Sequence, residues 1–161
     1  MTLWKELITI IGLLLIGLVL TGCNERRSAE RTDCLPTPYD EIGPFYRPGA
    51  PVRQAVGKGY VLSGMVLSTD DCRLLPGARL EFWLVNPQGE YDDAHRATVY
   101  ADRKGWYHFE SNRPIDYVGR LPHIHMMVTA DGQEQLITQH YPTGKTSGAV
   151  FDLVLVPVAK P

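Results

Sequence analysis

Hydrophobic and polar positions divide the chain into three regimes. From Leu7 to Leu20 apolar residues run for 14 positions without a charge, preceded by Lys5. That falls short of the ~20 residues a membrane-spanning helix needs and matches the core of a signal peptide. From Asn24 to Asp33 the chain is polar, and from Leu35 to Pro51 it is proline-rich without a sustained period. This pattern predicts a tether followed by an ordered, extended arm. From Tyr60 onward short apolar runs, many of them alternating, are separated by turn-forming clusters. The runs 60–67, 79–86, 97–101, 105–110, 123–129, 134–140 and 150–156 predict strands. Pro76-Gly77, Asn86-Pro87-Gln88-Gly89, Asp102-Arg103-Lys104-Gly105 and Ala130-Asp131-Gly132 supply the turns. Arg79 to Leu84 is apolar on parts of both faces, as a central strand is. No window after the apolar leader carries ten residues of helical period. The expected fold is all-β: a two-sheet antiparallel β-sandwich with an N-terminal extended arm.

Composition narrows the class. The 15 Gly and 12 Pro fit many turns between short strands. A net charge of −2 over 161 residues gives no basic face, which argues against a nucleic-acid partner. The apolar run ends in Leu20-Thr21-Gly22-Cys23, which resembles the lipobox of bacterial lipoproteins, where small residues precede a Cys that takes a diacylglycerol; a plain membrane anchor is the alternative. The resemblance implies a lipoprotein signal peptide over 1–22, lipidated Cys23 and a tether over 23–36, and a domain over 37–161. The protein is then expected in the bacterial cell envelope, held to the membrane through lipid on Cys23. Cys34 and Cys72 remain as an even pair in an oxidising compartment, which predicts a disulfide, with two free thiols or a soft-metal site as alternatives.

The densest candidate chemistry is Tyr117-Val118-Gly119-Arg120-Leu121-Pro122-His123-Ile124-His125. On a strand, His123 and His125 project from one face and Ile124 from the other. The pair is half of a metal site, or else a polar stripe or two hydrogen-bonded core histidines. No acidic residue or spare Cys accompanies it; the nearby donors are Tyr117 and, in the Gly89-Glu90-Tyr91 turn, Tyr91. A phenol ionises at neutral pH only beside a strong positive charge, so phenolates with imidazoles favour Fe(III). His95, His108 and His140 stand isolated and read as surface or supporting residues, while Trp83, Trp106 and Phe109 read as core.

Several segments together resemble the intradiol ring-cleavage dioxygenases. They are Tyr39-Asp40-Glu41-Ile42-Gly43-Pro44-Phe45-Tyr46, Leu62-Ser63-Gly64, Leu75-Pro76-Gly77-Ala78, Glu81-Phe82-Trp83, Gly89-Glu90-Tyr91, the hairpin from Asp102 to Phe109, Pro114 to Tyr117, Arg120 to His125, and Leu136-Ile137-Thr138-Gln139. The resemblance spans about Thr37 to Val156. It implies ferric iron held by Tyr91, Tyr117, His123 and His125, with cleavage of a catechol-type diol by O2 to a cis,cis-muconate. Tyr117 would accept a substrate proton, Arg120 would stabilise anionic oxygens, and Gln139 would support them. Members of the family are often oligomeric, which implies a homo-oligomer. Only Val118 and Gly119 separate Tyr117 from Arg120, which implies an open, simply walled site. The competing reading is a β-sandwich lipoprotein that captures iron or a ligand without turnover.

Overall fold

The computed structural model describes residues 34–159. The expected signal peptide and the lipidated Cys23 lie outside the described residues. Among these the chain forms eight strands: β1 (Gly59–Ser68), β2 (Arg79–Trp83), β3 (Arg96–Tyr100), β4 (Trp106–Asn112), β5 (Ile124–Thr129), β6 (Leu136–His140), β7 (Gly148–Val150) and β8 (Leu153–Leu155). One 3-10 turn, Asp93–His95, interrupts the connection between β2 and β3. One sheet runs β4-β1-β7, with β8 also paired to β1; the other runs β3-β2-β5-β6.

Alternation explains the core. Tyr60, Leu62 and Val66 of β1 and Tyr107 and Phe109 of β4 face Leu80, Phe82, Val99, Ile124, Met126 and Val128 of the second sheet. Phe82 stacks on Phe109 with ring centroids 4.2 Å apart, joining the two layers through aromatic surface. Trp106 departs from the expected core: it is 41% exposed, because it alternates away from Tyr107.

The two-sheet β architecture is as the pattern predicts, but the pairing is not antiparallel throughout. Strands β7 and β8 both run parallel to β1, and the expected strand 150–156 is broken at Phe151-Asp152. There the Phe151 amide donates to the Ser63 carbonyl at 2.8 Å, and Asp152 Oδ1 accepts from the Met65 amide at 2.9 Å. A Cβ on Gly64 would stand 2.3 Å from the Phe151 carbonyl oxygen, so only glycine admits this close return. Alternation reports which face a side chain takes and carries no information on strand direction.

The arm accounts for the doubly buried look of β2. Its outward residues Glu81 and Trp83 are 2% and 1% exposed, covered by residues of the arm. The Asp40 amide donates to Ile137 O at 2.9 Å on β6. Farther along, Arg53 N and Pro51 O flank Thr98 of β3, at 3.1 and 2.8 Å. The arm thus crosses the second sheet from one edge strand to the other and caps both. A disulfide joins Cys34 at its start to Cys72 in the β1–β2 connection.

Candidate metal centre

Each candidate ligand is delivered by a different local device. Tyr91 leaves a loop organised by Asn86, whose side-chain oxygen accepts from the amides of Gln88 at 2.9 Å and Glu90 at 3.0 Å. His125 lies in β5 opposite Trp83 of β2, and its ring stacks on the Trp83 indole at 4.9 Å with 3° between planes. His123 sits just before β5. Its Nδ1 donates to the Leu121 carbonyl at 2.7 Å, which leaves the Nε2 lone pair pointing into the site. Tyr117 and Arg120 are joined by two backbone hydrogen bonds of 3.1 and 2.8 Å. Val118 and Gly119 between them both take positive φ, +45° and +78°, as the tightest hairpin turn demands.

Three donor atoms converge. Tyr91 Oη lies 3.2 Å from His123 Nε2 and 3.1 Å from His125 Nε2, and the two imidazole nitrogens are 3.2 Å apart. Burial pushes the Tyr91 phenol up to about 12. Burial also holds His123 below the usual imidazole range. It lowers His125 to about 3, with His123 and Arg120 adding to the effect. The imidazoles are therefore neutral, as ligands must be. The single phenolic proton cannot satisfy two facing lone pairs at once. Ligands ~2.0–2.1 Å from one ion stand ~3 Å apart at right angles, so the observed spacing fits a metal cation. His125 Nδ1 is buried without a hydrogen bond of normal geometry, although the Glu41 backbone favours protonation of the ring. No cluster of three His, Cys, Asp or Glu suited to a metal occurs among the described residues, so phenol oxygen is what completes this donor set.

Tyr117 stands beside the trio rather than within it. Its ring meets Tyr91 edge-on at 5.4 Å, and no hydrogen bond links its hydroxyl to the three atoms. Pro44, Phe45, Tyr91, Tyr117, Val118, Arg120, His123 and His125 enclose a cleft of about 230 Å³. Arg120 Nη2 donates to Gln139 Oε1 at 3.0 Å; it makes no ion pair with Asp116. His95 is bonded to Asp92 at 2.7 Å. His140 is not isolated: its Nε2 lies 2.7 Å from the Tyr60 hydroxyl at the rim of the core.

The arm contributes residues to which the sequence pattern assigned no role. Phe45 stacks on Tyr91 at 4.4 Å. A Cβ on Gly43 would stand 3.2 Å from His125 Cε1. Asp40 of the arm joins the Gln139 network together with Tyr141, which follows β6. The signals available were the place of Asp40, Gly43 and Phe45 in the resembling segment from Tyr39 to Tyr46 and the spacing of Tyr141 two residues after Gln139.

No family model matches the chain. It is 31% identical over 133 residues to a chlorocatechol 1,2-dioxygenase of Pseudomonas putida, covering 62% of this chain and 51% of that protein. It is 30% identical over 136 residues to a hydroxyquinol 1,2-dioxygenase of Rhodococcus opacus, covering 64% and 45%. The chain thus spans about half the length of these relatives. Among solved structures, the dioxygenase domain of a dioxygenase–carbohydrate-binding protein fusion from Streptomyces sp. SirexAA-E superposes with a TM-score of 0.69 at 27% identity, covering 76% of this chain and 99% of that one. An intradiol ring-cleavage dioxygenase from Tetranychus urticae shares the fold, with a TM-score of 0.71 at 16% identity over 80% and 98% of the two chains.

Proposed function

The chain belongs to the intradiol ring-cleavage dioxygenase family, and from that premise we propose that it cleaves a catechol-type diol with O2 at a non-haem ferric centre, giving a cis,cis-muconate-type product. The observation that carries this reading is the convergence of Tyr91 Oη, His123 Nε2 and His125 Nε2 to within 3.1–3.2 Å of one another at a cleft lined by Arg120. These three residues would hold the ion, with Tyr117 at the edge of the cleft as the fourth ligand. A ferric ion there would take up the diol oxygens and leave the ring carbons electron-rich enough to react with O2.

The chain's own groups do the rest. Tyr117, which would be a phenolate as a ligand of the ion, would accept a proton from the diol. Arg120, always cationic, stabilises negative charge that develops on the substrate oxygens. Gln139, only 5% exposed, fixes the guanidinium through its side-chain carbonyl. Pro44, Phe45 and Val118 supply apolar walls that hold the ring and limit water.

The same reading puts the protein in the bacterial envelope, anchored through lipid on Cys23. Its support is the uncharged apolar run from Leu7 to Leu20, followed by Thr21-Gly22-Cys23, together with the Cys34–Cys72 disulfide, a bond of oxidising compartments.

The test is O2 uptake by the full chain, purified in detergent and loaded with iron, against catechol, protocatechuate, hydroxyquinol and alkylcatechols. Uptake with muconate formation, abolished by His123→Ala and lowered roughly 10²-fold in kcat by Tyr117→Phe, is the expected result. A red-brown protein that consumes no O2 with any of them would instead establish the capture of iron or a ligand without turnover.

A further inference from the structure

The guanidinium at the cleft is backed by one carboxylate, and that carboxylate comes from the arm. Asp40 Oδ2 accepts from the Tyr141 hydroxyl at 2.9 Å, and Oδ1 accepts from Gln139 Nε2 at 3.3 Å. The other Gln139 amide hydrogen goes to the Glu41 carbonyl at 2.8 Å. That leaves Gln139 Oε1 facing Arg120 Nη2 at 3.0 Å, with Tyr141 Oη 3.0 Å from the same oxygen and 3.5 Å from Nη2. Arg120 donates to the Gln139 carbonyl and the Gln139 amide donates to Asp40, while the single Tyr141 phenolic proton is shared between Asp40 Oδ2 and Gln139 Oε1. Were Asp40 unable to accept, the buried Gln139 amide would keep only the Glu41 carbonyl, and Tyr141 would lose the carboxylate that holds it beside Gln139 and Arg120.

Charge gives the clamp a second consequence. Arg96, the other arginine near Tyr91, is occupied by Asp93 at 3.3 Å and by the Phe45 carbonyl at 2.6 Å. Arg120 is therefore the cation that lines the cleft, and the walls Pro44, Phe45 and Val118 carry no charge. A guanidinium already facing a carboxylate through two neutral side chains attracts a second carboxylate less strongly.

We propose that Asp40 is the positioning residue for Arg120 and the countercharge that makes the site select catechols without an acid substituent. This rests on the catechol reading above. Asp40→Asn keeps an acceptor and removes the charge; Asp40→Ala removes both.

The test pairs two readouts on the full chain. In the iron-loaded protein, the ratio of kcat/KM for protocatechuate to that for catechol should rise about fivefold to tenfold in Asp40→Asn. In a crystal structure of metal-free Asp40→Ala, the Arg120 guanidinium should have left Gln139 Oε1. A ratio within twofold of the parent's, or an Arg120 still bonded to Gln139 in the alanine variant, would overturn the proposal. The same ratio is read from the dissociation constants of the two diols. A parent chain that binds both but consumes no O2 therefore defeats the enzyme reading, while the binding ratio still decides the clamp.

Discussion

Gly43, packed against His125, and Val118, at the cleft, both take left-handed backbone, at φ +69° and +45°. Glycine tolerates that conformation freely; a β-branched residue does not. Gly43→Ala would add strain and press a methyl group toward His125 Cε1, 3.2 Å from the new carbon. It is expected to cost about 1–2 kcal/mol in urea unfolding and to weaken iron binding, read as a lower occupancy on titration. Val118→Asn should act oppositely. It converts Val-Gly into the Asn-Gly pair favoured in this turn and relieves the strain, raising stability by about 1 kcal/mol. A melting temperature below the parent's would contradict that assignment. Val118 is 84% exposed, so packing does not offset the strain at this position beside the cleft.

At the scale of elements, the arm is the least regular segment and the one that completes the site. The disulfide fixes its start, linking positions 38 apart in sequence. The chain-entropy estimate for such a loop is about 4 kcal/mol. Replacing both Cys34 and Cys72 with Ser should lower unfolding stability toward that amount and speed proteolysis of the arm. Strand β6 carries a second dependence. His140 Nε2 is hydrogen-bonded to the Tyr60 hydroxyl at 2.7 Å, and burial lowers its pKa to about 4. The unfolded chain takes up the proton near the ordinary value of 6.5 while the native chain refuses it down to about 4, so stability falls as pH drops across that interval. After allowance for partial solvent access the loss is about 1–2 kcal/mol. His140→Gln should flatten the slope of unfolding free energy against pH over this range, and an unchanged slope would refute the assignment.

These elements also show what was legible in advance. Strands β1 to β6 follow from alternation and turn residues, because a half-buried strand writes its burial into every second position. His123 and His125 were legible as a pair for the same reason. The parallel return of β7 and β8 was not, since face alternation is blind to direction. Nor were the contacts of Asp40 with Gln139 and Tyr141, which join residues 99 and 101 positions apart through an arm whose sequence has no period. The fourth expected ligand, Tyr117, was legible as a type and a neighbourhood, but its hydroxyl does not join the other three atoms.

Across the described domain, the two sheets act as a scaffold that brings together groups no single element could assemble. A loop supplies Tyr91, a two-residue hairpin supplies Tyr117 and Arg120, β5 supplies His125, β6 supplies Gln139, and the arm supplies Asp40 and Phe45. The inner faces of the sheets carry the packing: truncating Phe82, 1% exposed and stacked on Phe109, should cost about 3–5 kcal/mol. The site end carries the chemistry, on side chains whose removal leaves that packing intact. Function and stability are therefore separable by mutation here, and His123→Ala should remove activity while the protein stays folded. The measurement that bears most directly on the central claim is the fate of isotopically labelled O2 given to the iron-loaded full chain with catechol. Ring cleavage between the hydroxylated carbons predicts a muconate carrying label in both new carboxylates, absent from His123→Ala. Unaltered catechol, or a product without label from O2, would contradict the account.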